Sequence, residues 1–424
     1  MDTDVIIIGG RPAGSHLAAR LGMAGVRVSV LERARFPSEP YVPSAPLAHP
    51  GTMALLDEIG ADEAAYTTPE ARNVGLALHV EGHFRVPISL PTISGRNYVC
   101  TFERTRFDTA LWEHLARYPS VTREPGFVVD DVLRDGDRVV GVTGKQDGAP
   151  RQLRARVVVG ADGRTSAFAR MVGARTTQEA QTHLGATYFA IWEGLQLGVA
   201  EPRGYASIHT AMRGLNVLIF PLGPSRAFVC VHTQSDRVHL DGGAEAFYAD
   251  RLAVMAGVRA RMAGATQTSR LLGLKKIGNG FRQAGGPGWV LVGDALHYKD
   301  PVDGQGFYDA FRGGKLLAAE IVRHLSGEQP WGQAVSQFES AFLAFAQPQY
   351  DATLTRLKRE LYGEPPTLVI KTLIRWTLTD PVYHDRYMRY LFRDLDPREW
   401  MPGLGGIVWR GLMRDLGGRR ALEG

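Results

Sequence analysis

The chain has 424 residues, of which 44% are hydrophobic and 22% are charged, and its 49 Lys and Arg nearly balance its 44 Asp and Glu, which leaves a net charge of +5. This balance excludes an intrinsically disordered chain, which combines low hydrophobicity with high net charge. The two cysteines, Cys100 and Cys230, are too few for a disulfide framework and form no C-x-x-C pair, so no metal site is predicted. The length predicts two or three domains at about 150 residues each.

The distribution of charged and apolar residues predicts a cytoplasmic protein with no nucleic-acid partner. Arginine is spread along the chain and no basic run reaches five residues, whereas nucleic-acid binders concentrate their charge on one stripe or arm. No apolar run approaches the roughly 18 residues that a membrane span requires. The acidic first residues do not resemble a signal peptide.

The first part of the chain predicts a βαβ unit. Asp4 is followed by a continuous apolar run at residues 5–8, as expected of a parallel strand that is buried on both faces. A glycine-rich turn and a helix follow, Gly25 ends the helix, and residues 26–31 predict a second strand.

The turn of this unit fits the dinucleotide-binding pattern G-x-G-x-x-G, with Gly9 and Gly14 as the first and third glycines and Arg11 at the second. In that pattern a pyrophosphate lies on the helix N-terminus, and a carboxylate at the end of the second strand, here Glu32, accepts the ribose hydroxyls. The sequence leaves open whether the Arg11 guanidinium lies against the cofactor or in solvent. The residues predicted here to contact a dinucleotide are Gly9, Arg11, Pro12, Ala13, Gly14, Glu32 and Arg33.

The remaining elements predict an α/β fold in which a Rossmann-like domain is interrupted by a mostly antiparallel β-sheet domain and followed by a helical C-terminal tail. Long alternating segments without crossover helices favour antiparallel pairing, and short buried runs that end in glycine favour parallel strands. In chain order we predict an irregular segment at 34–99 with a short helix at 53–59, a helix at 108–115, strands at 121–142 and 156–160, alternating strands at 183–276, a strand at 288–292, a helix at 307–325 and helices beyond 346.

Two further strand-to-turn motifs follow, Gly160-Ala161-Asp162-Gly163 and Gly293-Asp294, the latter continued by Asp300-Pro301 and Gly304-Gln305-Gly306. Asp-Gly is a common turn dipeptide, so neither motif is specific when taken alone. All three glycine motifs in this order make a specific combination.

The combination resembles the FAD-dependent oxidoreductases of the aromatic-hydroxylase (p-hydroxybenzoate hydroxylase-like) and geranylgeranyl-reductase superfamily, over residues 1 to about 345. The resemblance implies FAD as the cofactor, with NAD(P)H or a separate flavin reductase as the electron source. It also implies that Asp294 bonds the ribityl chain and that the backbone of Gly304, Gln305 and Gly306 lies beside the flavin pyrimidine ring. Further cofactor contacts implied by the resemblance are Arg104, Val129, Ala161, Asp162, Gly163 and Pro301.

On this reading the chain divides into an FAD-binding domain, a substrate domain and a C-terminal cap. The helical tail favours a cap packed on the FAD-binding domain over a surface that dips into a membrane. The predicted boundaries are 1–75, 100–182 and 277–345 for the FAD-binding domain, 76–99 and 183–276 for the substrate domain, and 346–424 for the cap.

The favoured reaction is monooxygenation, in which a flavin C4a-hydroperoxide hydroxylates or epoxidises a lipophilic or aromatic small molecule of the natural-product kind. Two alternatives stay open, a reductase or dehydrogenase of the geranylgeranyl-reductase type and a non-catalytic flavoprotein. Halogenation is disfavoured, because the halogenases of the superfamily use an early lysine and a Trp-x-Trp motif, whereas this chain has no lysine before Lys145 and no such motif.

No arrangement of residues predicts the catalytic machinery strongly, because the flavin itself carries the chemistry in such enzymes. His49 lies in the loop that covers the flavin in relatives, and His297, Tyr298 and Lys299 precede the Asp-Pro pair of the third motif. These four residues are the catalytic candidates.

Overall fold

The computed structural model describes residues 2–40, 44–198, 202–401 and 403–422. A six-stranded sheet forms its base, and all but one edge strand run parallel. Strand Val5–Ile8 lies at the centre with all four residues buried, as the apolar run predicts. Across the sheet the strands are Gly285–Gly286, Trp289–Leu291, Val157–Gly160, Val5–Ile8, Val28–Glu32 and Val121–Pro125.

Helices and a small antiparallel sheet cover this base. Helices Pro12–Met23 and Gly306–Leu325 pack on each other, and their apolar residues join the strands in one core. The antiparallel strands Phe127–Asp135, Arg138–Gln146 and Ala149–Arg154 pack beside the parallel strands. Two other three-stranded sheets consist of Thr176–Glu179, Gly280–Arg282 and His297–Tyr298, and of Leu47–Ala48, Val99–Thr101 and Arg72–Asn73.

An eight-stranded sheet forms the second layer. Its neighbouring strands pair antiparallel except for Tyr205–Thr210 and Gly75–Val80, which run parallel. Across this sheet the strands are Thr266–Gln267, Gly185–Glu193, Arg226–Gln234, Leu215–Pro221, Tyr205–Thr210, Gly75–Val80 and Phe84–Ser89, and Leu272–Leu274 also pairs with Gly185–Glu193.

Helices complete the fold on both layers and in the tail. The α-helices are Pro12–Met23, Pro50–Asp57, Glu63–Tyr66, Arg104–His114, Ala167–Met171, Gly243–Val254, Ala256–Met262, Gly306–Leu325, Trp331–Glu360, Thr367–Val369, Arg375–Leu378, Pro381–Leu391 and Leu404–Leu422, with a π-helical turn at Ile370–Ile374. Short 3-10 turns lie at Pro69–Ala71, Leu115–Arg117, Ser235–Arg237, Gly293–Ala295 and Pro301–Asp303. Within the described residues, no helix has the length and apolar character needed to cross a membrane.

The predicted fold class is confirmed, and individual elements differ from the prediction in several places. Strands Gly75–Val80 and Phe84–Ser89 lie in a segment predicted to be irregular. Their alternation of apolar and polar residues is too short to indicate strands by itself, and pairing with neighbouring strands stabilises them. Helices Gly243–Val254 and Ala256–Met262 lie where only strands were predicted. Helix Trp331–Glu360 continues across residue 346, the predicted start of the cap, and the domain boundaries stay a prediction.

Candidate functional site

A cavity of about 490 Å³ lies at the carboxyl ends of the parallel strands. This edge of an open α/β sheet is the usual place for a ligand, because the strands end there in loops that face the same crevice. The cavity collects most of the predicted site residues from separated parts of the sequence. Those that border it are Gly9, Arg11, Pro12, Ala13, Glu32, Arg33, Arg104, Val129, Ala161, Asp162, Gly163, Asp294, His297, Lys299, Pro301, Gly304 and Gly306.

The first turn requires glycine for steric reasons. Gly9 has a φ of +105°, and a Cβ there would lie 2.6 Å from the carbonyl oxygen of Ala161. A Cβ at Gly14 would lie 1.8 Å from the carbonyl oxygen of Gly9. Gly14 therefore holds helix Pro12–Met23 against the turn and does not itself border the cavity.

Glu32 ends the second strand as a buried carboxylate. Its Oε2 accepts a hydrogen bond of 2.8 Å from the Gly10 N–H, and its Oε1 accepts one of 2.9 Å from the Ala34 N–H. Each carboxylate oxygen has two lone pairs, so both can accept further bonds from a ligand hydroxyl.

Arg11 belongs to a partly buried ion-pair group at the cavity wall. Its Nη1 lies 2.6 Å from Oδ2 of Asp108, whose carboxylate also accepts bonds of 2.9 Å from Nε and Nη2 of Arg104. The Asp108 side chain is completely buried. The guanidinium of Arg11, 20% exposed, is thus held beside the cavity by Asp108 and by the Ser38 hydroxyl at 3.1 Å.

The Asp-Gly turn presents mainly its backbone to the cavity. The Asp162 carboxylate accepts bonds from the Phe168 N–H at 3.0 Å and from the Ser166 hydroxyl at 2.5 Å. It thereby supports Ser166, the N-cap of helix Ala167–Met171, whose hydroxyl accepts from the Ala169 N–H at 2.9 Å. Gly163 has a φ of +81°, a left-handed conformation that glycine adopts without strain.

Asp294 borders the cavity after the strand Trp289–Leu291. Desolvation by the surrounding protein raises the pKa of its carboxyl group, and the guanidinium of Arg164, 3.8 Å away, opposes that effect. A carboxylate in this position can accept hydrogen bonds from a bound polyol.

The third motif shapes the opposite wall. Gly304 has a φ of +66°, and a Cβ there would lie 3.3 Å from Cδ1 of Leu47. A Cβ at Gly306 would meet no atom within 4 Å, so the N-terminus of helix Gly306–Leu325 faces open space in the cavity. The Gln305 side chain points away from the cavity, and its Nε2 donates a hydrogen bond of 2.8 Å to the carbonyl oxygen of Leu391.

A buried charge group supports this loop. The Nζ of Lys299 lies 3.0 Å from Oδ2 of Asp309, and Nη2 of Arg393 lies 3.2 Å from Oδ1 of the same carboxylate. Although burial alone would raise it, the pKa of Asp309 is lowered because Lys299 and Arg393 stabilise the carboxylate. The sequence interpretation missed Asp309 and Arg393, since no short-range pattern links two charges that lie so far apart in the chain.

The other catalytic candidates occupy different surroundings. His297 borders the cavity, stacks on Phe281 with 4.1 Å between ring centroids, and has a pKa lowered to about 4 by burial. His49 and Tyr298 lie outside the cavity. The ring of His49 is buried between Tyr308 and Phe392, and burial lowers its pKa to about 3.

Tyr298 takes part in a contact with the small sheet. Its hydroxyl donates to the Glu179 carboxylate at 3.3 Å, and the Arg282 guanidinium lies 4.5 Å from its ring centroid. Direct chemistry by His49 or Tyr298 therefore has no support in the geometry, because neither side chain reaches the cavity.

The cavity fits an elongated dinucleotide. A glycine turn at a helix N-terminus suits a pyrophosphate, the buried Glu32 suits a ribose, and a second helix N-terminus at Gly306 suits a group that gains negative charge. Among the described residues, no cluster of His, Cys, Asp and Glu side chains has the arrangement of a metal site.

Comparison with known proteins also indicates a dinucleotide-binding protein. A family model described as an FAD binding domain matches residues 2–333. The chain is 32% identical over 174 residues to a 6-methylpretetramide 4-monooxygenase of Streptomyces rimosus, a match that covers 40% of this chain and 41% of the relative. It is 29% identical over 345 residues to an uncharacterized aromatic compound monooxygenase, YhjG, of Bacillus subtilis, covering 78% and 63%.

A third relative is a digeranylgeranylglycerophospholipid reductase of Methanosarcina acetivorans, 25% identical over 327 residues, with 76% of each chain covered. The chain thus spans less than two thirds of the length of the first two relatives.

Solved structures share the fold. The flavin-dependent brominase Bmp2 superposes with a TM-score of 0.77 at 19% identity and full coverage of both chains. The protein pqsL, a probable FAD-dependent monooxygenase from Pseudomonas aeruginosa, superposes with a TM-score of 0.69 at 22% identity, covering 84% of this chain and 96% of that one. At these identities the likeness shows the fold alone.

Proposed function

The chain belongs to the FAD binding domain family, and from this premise we propose that it is an FAD-dependent monooxygenase which hydroxylates or epoxidises a lipophilic or aromatic small molecule. Bound FAD supplies the activation of oxygen, a chemistry that amino-acid side chains do not provide. The protein contributes binding, orientation and exclusion of water.

In this proposal each part of the cavity binds a different part of the cofactor. The Gly9 turn and Glu32 hold the adenosine half, and Asp294 accepts a hydrogen bond from the ribityl chain. The N-terminus of helix Gly306–Leu325 then faces the flavin, where its free N–H groups stabilise the negative charge that reduction creates.

The proposed substrate class is supported by one observation, an apolar and only partly buried face of the eight-stranded sheet. Side chains alternate between the two faces of a strand, so Thr187, which borders the cavity, shares its face with Phe189. Cys230 lies opposite Phe189, and Leu218 lies opposite Cys230 on the next strand. Phe189, Leu218 and Cys230 are all only half-buried.

The other face of the same strands is closed. Its residues, among them Tyr188, Val217 and Val229, are buried under helices Gly243–Val254 and Ala256–Met262. The half-buried face is therefore the inner side of the sheet, and Leu47 packs with it and also lies beside Gly304. Thr187 borders the cavity itself, whereas Phe189, Leu218 and Cys230 lie behind its wall.

An apolar wall beside the flavin loop suits a substrate with a hydrophobic or aromatic body, since burial of apolar area is the main source of affinity for such ligands. The names of the two monooxygenase relatives agree with this class. The reductase relative is a reason to keep reduction of an isoprenoid double bond as the alternative reaction.

The test is to incubate the purified protein with NADPH, alone and with a flavin reductase, over a panel of aromatic, polyketide-like and isoprenoid compounds. Monooxygenation inserts one atom of oxygen gas into the product, and isotopically labelled oxygen makes that atom visible by mass spectrometry. A product that gains hydrogen and no labelled oxygen would instead establish the reductase. FAD binding without any substrate-dependent consumption of oxygen or NADPH would contradict both reactions.

A pair of variants tests the substrate wall. Leu218→Trp adds bulk to the inner face, so we expect a higher KM with an unchanged flavin spectrum. Val254→Trp is the matched control, because Val254 lies 51% exposed on the helical layer that covers the other face. Equal KM values for Leu218→Trp and the wild type would place the substrate elsewhere.

A further inference from the structure

The loop that faces the cavity is tied to the C-terminal tail by a series of buried polar contacts. Gln305 donates to the carbonyl oxygen of Leu391 at 2.8 Å, and its Oε1 accepts from the Nζ of Lys299 at 3.2 Å. Asp309, in the first turn of the following helix, lies between Lys299 and Arg393. The side chains of Lys299, Asp309 and Arg393 are each less than a tenth exposed.

Asp303, which precedes Gly304 in the chain, is also held by side chains of the C-terminal part of the protein. Its Oδ1 lies 2.6 Å from Nη1 of Arg356, and its Oδ2 accepts a bond from the Thr353 hydroxyl. Gln349 donates to Oδ2 at 3.3 Å. The pKa of Asp303 is lowered, against the effect of burial, by the nearby positive charges of Arg356 and Lys299.

Arg393, which contributes to this network, has a backbone conformation that is unusual for a residue other than glycine. Its φ is +65°, a left-handed conformation that costs a residue with a Cβ roughly 1 kcal/mol or more unless the surroundings stabilise it. The guanidinium lies 4.4 Å from the Phe345 ring centroid and 5.4 Å from that of Tyr308, so two aromatic rings and one carboxylate hold it.

The charged side chains lie in the order Arg393, Asp309 and Lys299 from the tail to the cavity. Lys299 and Asp309 border the cavity beside Gly304 and Gly306, whereas Arg393 does not. Arg393 neutralises part of the Asp309 charge. Asp303, the second carboxylate near the Lys299 ammonium at 4.0 Å, is compensated by Arg356 in the same way. The ammonium is then not fully engaged by the two carboxylates and contributes positive potential to the cavity wall.

We propose that Arg393 is a positioning residue, supplied by the C-terminal tail, which acts through Asp309 to set the electrostatic potential and the loop geometry at the flavin end of the cavity. The inference rests on FAD occupying this cavity and does not depend on which substrate is oxidised. Loss of Arg393 leaves the Asp309 charge less compensated, which opposes the negative charge of reduced flavin.

The test measures the midpoint potential and the dissociation constant of FAD in the full chain without substrate. We expect Arg393→Gln to move the midpoint potential to a more negative value and to weaken FAD binding about tenfold, the size of effect that loss of an outer hydrogen-bonding partner has at metal sites. Arg393→Lys retains the charge and restores most of the potential. Arg398→Gln is the matched control in the same tail, because Arg398 is 77% exposed and pairs only with the nearby Asp396 in the described structure.

A double-mutant cycle separates this role from a merely structural one. In an Asp309→Asn background, Arg393→Gln should no longer shift the potential, because the charge through which it acts is absent. The same shift in both backgrounds, or a potential of Arg393→Gln equal to that of Arg398→Gln, would overturn the proposal. If Arg393→Gln does not fold, Arg393→Lys and Asp309→Asn are compared, and equal potentials in wild type and Asp309→Asn overturn it. Because no product is measured, these results are independent of the proposed reaction.

Discussion

At the scale of single residues, the cavity depends on a few positions where one group decides what can bind. Asp294 supplies a carboxylate on the wall, and Gly306 supplies the absence of a side chain at a helix N-terminus. These two positions give opposite kinds of prediction, one for a lost acceptor and one for a blocked space.

Asp294→Ala should weaken FAD binding by about 10- to 100-fold, because a buried hydrogen bond to a charged acceptor contributes on the order of 1–3 kcal/mol. Equilibrium titration of the apoprotein with FAD measures the change. The exposed Asp236, changed to Ala, is the control and should bind FAD like the wild type. An unchanged affinity for Asp294→Ala would remove this residue from the ribityl assignment.

Gly306→Val should leave the fold intact, since the new side chain enters open space, but it should lower the flavin reduction potential and abolish turnover. The reason is that the branched side chain separates the helix N-terminus from the group it stabilises. A redox titration beside an FAD-binding measurement tests this. Gly332→Val, also at an open position in the first turn of a helix, is the matched control, and equal potentials for the two variants would show that the loop does not face the flavin.

At the scale of elements, the two helices whose N-termini point to the cavity are joined by a buried histidine. His16 of helix Pro12–Met23 stacks on Phe311 of helix Gly306–Leu325 with 4.5 Å between ring centroids. The imidazole is completely buried, and burial lowers its pKa to about 3. The helix pair is therefore built around a neutral ring.

This pair should make the fold sensitive to acid. The folded protein protonates His16 only near pH 3, whereas the unfolded chain binds that proton near pH 6.5, so its contribution is complete above the higher value and is lost as the pH falls towards the lower one. Between about pH 6.5 and pH 5 the free energy of unfolding should fall by about 2 kcal/mol because of this residue.

Urea unfolding of the wild type and of His16→Gln at both pH values measures the effect, and the variant should lose less stability on acidification. His239→Gln, at an exposed position, should behave like the wild type. Parallel pH dependence in His16→Gln and the wild type would contradict the prediction.

At the scale of the whole molecule, the cavity joins segments that are far apart in the chain. Residues of the parallel layer, such as Ile8 and Leu31, meet Thr187 and Leu274 of the second layer at its walls. A ligand that fills the cavity therefore contacts both layers and stabilises their packing.

Removal of FAD should accordingly lower the melting temperature, and adding it back should restore it. A ligand that binds only the folded state stabilises it by about 2.7 kcal/mol at 100 times its dissociation constant. Thermal unfolding of the holoprotein, the apoprotein and the reconstituted protein measures this. Asp294→Ala should need about 10- to 100-fold more FAD for the same shift, and a melting temperature that does not respond to FAD would count against the cavity as the cofactor site.

The sequence alone determined the parts of this protein that neighbouring residues decide. Gly14 follows from a steric limit within a few residues, because a Cβ there would meet the carbonyl oxygen of Gly9, and strand Val5–Ile8 and strand Leu215–Pro221 follow from their apolar patterns. Fold class was predicted for the same reason, because the order of such local patterns restricts the ways in which the layers can pack.

Only the tertiary structure decided how distant charges pair and which predicted residues reach the cavity. Arg11 meets Asp108 across a separation of 97 residues, and Arg393 meets Asp309 from the tail. His49 is excluded from the cavity by the packing of Tyr308 and Phe392. A charge can pair with any of many opposite charges along a chain, and only the packing of the core brings two of them within a few ångströms in a medium where water cannot screen them.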